Sequence, residues 1–395
     1  MLLTIIYGVN YNLFTSQNLL GELSSLIDPN TVLLVVGVMI LAETVARTGL
    51  FEFTALSIAK IINSDFRYIS LSFILLTILF STFLSNITSM IIIGALTISI
   101  AKEFNVDPTN IILAEAVTTN IGGLILLISS IPNLIVASYE HIGFIEFVSF
   151  SFPLALVLSI VSVPFFYKKF QQYDKIKHSI EIDPWAVVKD KRSFYRAIIV
   201  FLGVILGFIF VDYIKIPIGI ISISGAIAML VLGGQEPESI YSEIDWGTVF
   251  FLMSFYIIIG GLEKSGVLNI FSKEIGVILE LNPAAASVLN IWICGVSSSL
   301  VDNIPITLTL LPVMDYISGL LGISSKILSW GIIFGANLGG NLTPIGSPSN
   351  IIALGILKKS GRDVSWGKWF DFCLPIVLLQ LVLSSIYVLL VSVVS

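Results

Sequence analysis

The sequence predicts an all-α polytopic membrane protein made of two inverted-topology repeats, each with a re-entrant helical hairpin and a broken transmembrane helix. Three observations predict this fold: the composition, the recurrence of long apolar segments and an internal repeat. Of the 395 residues, 56% are hydrophobic and only 12% are charged, whereas soluble domains carry about 25% charged residues. The composition excludes a soluble enzyme and a nucleic-acid-binding protein, because too few charged groups are present to cover a water-exposed surface.

Apolar segments long enough to cross a bilayer, which takes about 20 residues, recur along the chain. The clearest of them are 31–46, 68–84, 144–167, 195–211 and 370–394. We therefore expect a multi-pass protein of the cell membrane, with the lipid bilayer as its main surroundings.

The internal repeat appears when the chain is aligned with itself at a shift of 217 positions, the separation between Asn86 and Asn303. The shift superimposes further identical polar residues or glycines, among them Asn120 and Asn337, Gly122 and Gly339, Gly123 and Gly340, Ser130 and Ser347, and Asn133 and Asn350. Shared leucine and isoleucine arise easily by chance in apolar sequences, but shared asparagine, serine and paired glycine in one register do not. We therefore divide the chain into a short N-terminal segment (1–26), repeat 1 (27–167), a polar linker (168–194), two connecting helices (195–233) and repeat 2 (234–395).

The linker 168–194 fixes the predicted orientation, because it is the longest polar segment and is rich in lysine and arginine, which concentrate in cytoplasmic loops. After the linker, the chain is expected to cross outward at 195–211, return at 216–232 and cross outward again at 248–262. The hairpin 284–320 follows, then a crossing back to the cytoplasm at 329–357 and a last outward crossing at 370–394. The segments that precede the linker are the hairpin 68–101, 110–138 outward and 144–167 inward. An odd number of crossings separates equivalent points, so the repeats are inverted and the C-terminus is expected outside. Inverted repeats with broken helices are typical of secondary transporters.

Polar residues interrupt the apolar segments at four places, two in each repeat. They are Ser85, Asn86 and Thr88 at the first hairpin tip; Asn120, Gly122, Gly123, Ser130 and Asn133 in the first broken helix; Asp302 and Asn303 at the second tip; and Asn337, Gly339, Gly340, Asn341, Thr343, Ser347, Ser349 and Asn350 in the second broken helix. Backbone groups freed by a helix break must be satisfied inside a bilayer, so breaks persist where they line a polar cavity. We expect these residues to form the substrate and ion site.

Two acids, Glu115 and Asp302, are candidates for proton or cation coupling, because a carboxylate within a membrane is costly unless it has a function. Asp302 is favoured because it lies at a tip. Glu43 has Arg47 four residues later, so an ordinary ion pair is expected there. The sequence shows no metal-ligand spacing and no catalytic pair. We thus expect no enzyme activity, no resident metal and no cofactor, with H⁺ or Na⁺, the latter at the hairpin tips, as the coupling ion.

Two motifs of repeat 2 carry a resemblance to a known group: Asp302-Asn303-Ile304-Pro305 followed by Thr307, and Gly339-Gly340-Asn341-Leu342-Thr343-Pro344-Ile345-Gly346-Ser347-Pro348-Ser349-Asn350. They resemble the signature of the ion transporter superfamily, especially its branch of arsenite permease (ArsB), melanosomal P-protein and NhaD sodium/proton antiporter. Glu115 with Asn120-Ile121-Gly122-Gly123 and Pro132-Asn133 is similar to the first-repeat version. The resemblance covers residues 27 to about 390 and implies a homodimeric elevator-type secondary transporter whose hairpins clamp substrate and coupling ion.

This resemblance leads us to expect transport of a small inorganic anion or metalloid such as arsenite, coupled to protons, sodium or the membrane potential. No Lys or Arg falls in the expected cavity, which favours a neutral or monovalent substrate, or a cation. Antiporter-like members tend to carry Asp-Asn at both tips, whereas the first tip here is Ser85-Asn86, so sodium/proton antiport ranks second. Di- or tricarboxylate symport ranks third. A passive aquaporin-like channel ranks last, because a neutral pore needs neither buried acids nor a second pair of broken elements.

Overall fold

The computed structural model describes residues 18–62, 65–173, 183–265, 283–321 and 324–394, together with 4–5, 8–9, 14 and 176. Across these ranges the secondary structure is helical, without strands, which confirms the all-α prediction. The helices are α1 (Leu19–Leu26), α2 (Pro29–Arg47), α3 (Leu50–Ile62), α4 (Phe66–Phe83), α5 (Asn86–Glu103), α6 (Thr109–Gly122), α7 (Ile131–Tyr139), α8 (Phe144–Lys169), α9 (Lys191–Ile209), α10 (Val211–Ile214), α11 (Ile218–Leu232), α12 (Pro237–Tyr241), α13 (Trp246–Ser265), α14 (Pro283–Leu300), α15 (Asn303–Leu321), α16 (Ser325–Gly339), α17 (Pro348–Lys359), α18 (Trp366–Phe372) and α19 (Leu374–Val394). Part of the predicted N-terminal segment 1–26 and of the predicted linker 168–194 lies outside the described residues.

Among the described residues, six helical segments are long and apolar enough to cross a bilayer: Pro29–Arg47, Phe66–Phe83, Asn86–Glu103, Phe144–Tyr173, Lys191–Ile209 and Leu374–Val391. The outer surface of α9 shows the expected lipid-facing character, because Ile199, Leu202 and Leu206 recur at helical spacing and are 70%, 54% and 53% exposed. Such a stripe is unfavourable in water and favourable against acyl chains. The structure therefore has the features of a multi-pass membrane protein.

The helix boundaries follow the sequence repeat. The second helix of each hairpin begins at Asn86 in repeat 1 and at Asn303 in repeat 2, so these two starts are separated by the same shift of 217. The broken helices follow the same rule, because α7 and α17 resume after each break at Ile131 and Pro348. Each repeat thus contains the predicted hairpin and the predicted broken helix.

The two broken helices lie side by side in opposite directions. Glu140, at the end of α7, accepts hydrogen bonds from Ser325 Oγ at 2.6 Å and Ser329 Oγ at 2.5 Å, near the start of α16. Arg362, just beyond α17, donates through Nε to Asp107 Oδ1 at 2.9 Å, just before α6. The end of each broken helix therefore meets the start of the other. Equivalent elements run antiparallel, which confirms the inverted topology.

The breaks are stabilised by the same side-chain hydrogen bonds in both repeats. Asn133 Nδ2 donates to the carbonyl of Gly123 at 2.7 Å, and Asn350 Nδ2 donates to the carbonyl of Gly340 at 3.2 Å. Each amide also reaches a second carbonyl in its break. The two asparagines supply donors to carbonyls that have left the helical pattern, which is the condition for an interrupted helix inside a membrane.

Two equivalent glycines bring the broken helices against the hairpins. A Cβ atom at Gly122 would lie 2.3 Å from the carbonyl oxygen of Ile78 in α4, and one at Gly339 would lie 2.1 Å from Gly295 Cα in α14. No side chain fits at these distances. The first helix of each hairpin and the first half of each broken helix therefore pack at backbone contact.

We predict that Gly339→Ala destabilises the protein by roughly 1–3 kcal/mol or more, because the added methyl overlaps Gly295. The midpoint of thermal unfolding in detergent measures this effect. The control is Gly319→Ala, since a Cβ there meets no atom of the described residues within 4 Å; alanine at that helical position should stabilise slightly. Equal midpoints for the two variants would contradict the close packing of α14 and α16.

Candidate functional site

One cavity, of about 240 Å³, gathers both hairpin tips and both breaks. Its polar lining comprises Ser85, Asn86 and Thr88 of the first tip; Asp302 and Asn303 of the second tip; Ser129 and Ser130 of the first break; and Glu43, Glu243 and Asp245 on the facing wall. Pro348, the first residue of α17, also lines the cavity. The structure thus brings together segments that are more than 200 positions apart in the sequence.

Four helices begin at this cavity: α5 at Asn86, α7 at Ile131, α15 at Asn303 and α17 at Pro348. Each helix N-terminus carries N–H groups without an intrahelical partner and the positive end of the helix dipole. Side chains cap the tips in part, since Thr88 N donates to Ser85 Oγ at 3.1 Å and Ile304 N donates to Asp302 Oδ1 at 3.0 Å. The convergence of four N-termini favours a negatively charged group in the cavity.

Asparagine side chains form a layer beneath the cavity and connect it to both breaks. Asn86 Nδ2 donates to Asn120 Oδ1 at 2.6 Å, and Asn120 Nδ2 donates to Asn341 Oδ1 at 2.7 Å. Asn337 Nδ2 donates to Asn133 Oδ1 at 3.0 Å. These three hydrogen bonds therefore fix the amides of the first tip and of the two breaks relative to one another.

Several of these amides have buried oxygens that accept no hydrogen bond from the described residues: Asn86 Oδ1, Asn303 Oδ1, Asn337 Oδ1 and Asn350 Oδ1. Two of them lie close to Gly123, where a Cβ atom would be 3.6 Å from Asn86 Oδ1 and 3.5 Å from Asn337 Oδ1. A buried polar atom without a partner costs about 1–3 kcal/mol. Amide oxygens are among the ligands that hard cations prefer, so this part of the site can bind a cation.

The wall opposite the tips is acidic. Glu43, Glu243 and Asp245 line it, Asp302 of the second tip adds a fourth carboxylate to the cavity, and no Lys or Arg of the described ranges lines the cavity. Arg47 stands just outside, where its Nε donates to Glu43 Oε1 at 2.8 Å and its guanidinium lies 3.7 Å from Glu243 Oε1. The expected Glu43–Arg47 pair is therefore present, and Glu43 also faces the cavity. A free multivalent anion would meet repulsion here.

The predicted site residues fall into three groups by position. Those that line the cavity are Ser85, Asn86, Thr88, Ser130, Asp302 and Asn303. Those buried beneath it are Asn120, Asn133, Asn337, Asn341, Ser347, Ser349 and Asn350. The remaining residues are Gly122, Gly123, Gly339, Gly340, Thr343 and Glu115.

These remaining residues do not share one location, and each makes its own contacts. Gly122 and Gly339 are explained by the packing of helices, and only Gly123 faces the unpaired amide oxygens. A Cβ at Gly340 would lie 2.7 Å from the carbonyl of Gly346, within the same break. Thr343 Oγ1 donates to the carbonyl of Ser299 at 2.6 Å and so ties the second break to the second hairpin.

Glu115 lies away from the cavity. Its Oε1 accepts a hydrogen bond from Thr97 Oγ1 of α5 at 2.5 Å, and its Oε2 is buried without a hydrogen-bond partner in the described part of the chain. Thr97 follows Asn86 by eleven positions, which places it about 16 Å along α5 from the tip. Asp302, by contrast, is exposed at the cavity. The two predicted coupling acids are therefore in different environments.

The sequence did not indicate Glu243, Asp245 and Ser129 as cavity residues. Asp245 had a detectable signal, because it is the repeat equivalent of Asp28 and each precedes the first helix of its repeat. The other two reach the cavity only through tertiary packing.

Comparison with known proteins identifies the family of this chain. The family model described as citrate transporter (CitMHS) matches residues 1–332. An uncharacterized transporter of Mycobacterium tuberculosis, Rv2684, is 27% identical over 94% of this chain and 88% of its own length. The human P protein is 25% identical over 93% of this chain and 54% of its own length. This relative confirms the resemblance to the P-protein branch.

Solved structures show the same fold. The YdaH transporter of Alcanivorax borkumensis superimposes with a TM-score of 0.70 over 94% of this chain and 87% of its own, at 12% sequence identity. MtrF of Neisseria gonorrhoeae, described as belonging to a class of antimetabolite efflux pumps, superimposes with a TM-score of 0.67 over 97% of this chain and 84% of its own, at 11% identity. Because the family model covers most of its length, the chain belongs to the citrate transporter family and is a multi-pass secondary transporter of the anion permease type.

Proposed function

We propose that this protein is an elevator-type secondary transporter that moves a carboxylate of the citrate kind together with a cation. The observation that carries the proposal is the convergence of four helix N-termini on one cavity that no basic side chain of the described residues lines, together with unpaired amide oxygens at and beneath that cavity. The N-termini favour a carboxylate. The amide oxygens and the acidic wall favour a cation, so the anion binds with its charge partly neutralised.

The cation position that the geometry supports best lies beside Gly123. Asn86 Oδ1 and Asn337 Oδ1 both approach this glycine, and Asn86 belongs to a hairpin tip whereas Asn337 belongs to a broken helix. A cation bound there would join the two elements. Binding of this cation would therefore order the first hairpin tip before the substrate binds. This order of binding is a physical basis for coupling the cation to the substrate.

Proton coupling is assigned in this proposal to Glu115 and not to Asp302. A buried carboxylate with one hydrogen bond is costly when charged, so it carries a proton unless its surroundings change. Glu115 contacts α5, the helix that begins at the first tip, through Thr97. Movement of that tip would change the surroundings of Glu115. Asp302 is exposed at the cavity and lacks this burial.

A small metalloid such as arsenite is the second candidate substrate. The hydroxyl groups of Ser85, Thr88 and Ser130 and the amides of the tips supply neutral donors and acceptors. A neutral hydroxylated species needs no charge compensation, so it also fits a cavity without lysine or arginine.

The arrangement in the membrane is likewise a proposal. The basic residues Lys189, Lys191 and Arg192 of the linker support a cytoplasmic location for 168–194, which places the C-terminus outside. The exposed apolar stripe of α9 provides a surface for lipid or for a second copy in a homodimer.

The substrate assignment predicts that proteoliposomes take up citrate only when Na⁺ or a divalent cation such as Mg²⁺ is present. Arsenite and Na⁺ alone form the other arms of the panel, each with and without an imposed pH gradient. Uptake that ignores the gradient at equal substrate concentrations would indicate a channel. Arsenite transport without citrate transport would contradict the main proposal and support the second candidate.

The tip geometry predicts that Asn303→Ala weakens substrate binding about 5- to 150-fold, the equivalent of about 1–3 kcal/mol for a lost amide contact. Binding is measured by titration of the purified protein. The matched control is Asn290→Ala, because Asn290 is equally buried but bonds to the carbonyl of Leu328 away from the cavity. The control should lose thermal stability and keep its affinity. Wild-type affinity in Asn303→Ala would show that this tip serves packing only.

The coupling assignment predicts that Glu115→Gln binds substrate but loses the pH dependence of transport. Glutamine preserves the shape of the side chain and can accept the hydrogen bond from Thr97, yet it cannot titrate. Asp302→Asn is the matched variant, and it should keep the wild-type pH profile. If Asp302→Asn abolishes the pH dependence and Glu115→Gln preserves it, the assignment is reversed.

A further inference from the structure

A second cavity, of about 650 Å³, lies at the opposite end of α7 from the first. The start of α7 lines the first cavity with Ile131 and Pro132, whereas its end lines the second with Ala137 and Ser138. Leu134, between them, lines both. The two cavities are therefore separated at this point by the thickness of one side chain.

The separating layer is apolar. Leu134 is buried with Leu127 of the first break and Leu34 of α2, and all three line the second cavity. Leu34 and Leu134 belong to different structural groups: α2 is the first helix of repeat 1, and α7 is part of its broken helix. Sliding of α7 along α2 would therefore open or close this layer.

Just beyond the layer, a hydrogen-bonded cluster ties α7 to the first helix of each repeat. Ser138 Oγ, at the end of α7, donates to Asp28 Oδ2 at 2.8 Å and accepts from Tyr256 of α13 at 3.2 Å. Thr31 Oγ1 of α2 lies 2.6 Å from Ser138 Oγ and also contacts the Asp28 carboxylate. We refer to Asp28, Thr31, Ser138 and Tyr256 as the Asp28 latch.

The latch has no equivalent in repeat 2. The equivalents of Asp28 and Thr31 are Asp245 and Thr248, and Asp245 likewise accepts from Thr248 at the start of its helix. The equivalent of Ser138, however, is Gly355, where a Cβ would meet no described atom within 4 Å. Asp245 instead lines the first cavity. The pseudo-symmetry of the fold is thus broken at this position: Gly355 lacks the hydroxyl of Ser138, and the repeat equivalent of Tyr256 is Met39.

We propose that the Asp28 latch stabilises the conformation seen here, in which the first cavity is formed, and that the opposite conformation has no corresponding latch. In a transporter with inverted repeats, the opposite conformation arises when the repeats exchange their arrangements. The end of α17 would then approach Asp245, and Gly355 would offer it no hydroxyl. The inference rests on the alternating access of the proposed function, and it concerns the balance of states, not the substrate.

Labelling of single reporter cysteines tests the latch in the full chain, purified and reconstituted in nanodiscs without substrate. Ala42→Cys reports on the first cavity, which Ala42 lines. Ile142→Cys reports on the second, because Ile142 lines that cavity and its side chain is buried in this conformation. The native thiols of Cys294 and Cys373 are buried. The readout is the rate of reaction with a hydrophilic maleimide.

Ser138→Ala should slow labelling at Ala42→Cys and speed labelling at Ile142→Cys, so that the ratio of the two rates changes about 2- to 10-fold, the change in the equilibrium between the two conformations expected for one lost hydrogen bond of ordinary strength. The matched control is Ser159→Ala, because the Ser159 hydroxyl donates within its own helix to the carbonyl of Ala155 at 2.7 Å. The control should label like the parent at both reporters. Rates in Ser138→Ala that equal the parent's, or that rise together at both reporters through general loosening, would overturn the latch.

Gly355→Ser is the second variant and does not depend on Ser138→Ala folding correctly. It places a hydroxyl where space is available, so it should give Asp245 a partner in the opposite conformation and shift both rates in the same directions as Ser138→Ala. No shift in either variant overturns the latch even if citrate uptake is normal. Failure of citrate uptake with the expected shifts would instead overturn the substrate assignment alone.

Discussion

The need to satisfy backbone carbonyls at two helix breaks inside a membrane governs the rest of this structure. Asn133 and Asn350 meet that need by donating to carbonyls of Gly123 and Gly340. Because the two broken helices run antiparallel, the breaks meet, and the hairpin tips reach them. The cavity, its four helix N-termini and its unpaired amide oxygens all follow from breaks that are stable within the bilayer. Without these asparagines, the carbonyls of Gly123 and Gly340 would lose these donors inside the membrane.

The two repeats share a backbone arrangement but differ in the chemistry of equivalent side chains. The tip position occupied by Ser85 in repeat 1 is Asp302 in repeat 2, and Glu115 corresponds to Ile332. Asn120 donates to Asn341, whereas the residue equivalent to Asn341 in repeat 1 is a leucine. Each difference places a charge or a hydrogen bond in one repeat only. In the proposed mechanism, duplication supplies two conformations of similar geometry, and single substitutions make those conformations chemically unequal, which directed coupling of substrate and ion requires.

Much of the fold could be predicted from the sequence, because polar residues that interrupt apolar segments mark tips and breaks directly. The starts of α5 and α15 at Asn86 and Asn303 fall where the interruptions are. The cavity wall could not be predicted, since Glu243 reaches it only through packing. Nor can a sequence separate a glycine that permits helix contact, such as Gly339, from Gly123, which faces the unpaired oxygens. The proposed substrate class also required the family comparison, because the motifs are shared across the superfamily.

The central claim is that anion and cation bind together, the anion at the helix N-termini and the cation at the amide oxygens. The most direct test is the dissociation constant of citrate for the purified protein as a function of Na⁺ or Mg²⁺ concentration, with the reciprocal titration of the cation in citrate. Linkage requires each ligand to change the affinity of the other by the same factor. The account predicts that one of these cations tightens citrate binding about 10-fold or more, and that citrate tightens binding of the same cation equally. A citrate affinity that is independent of both cations would contradict it.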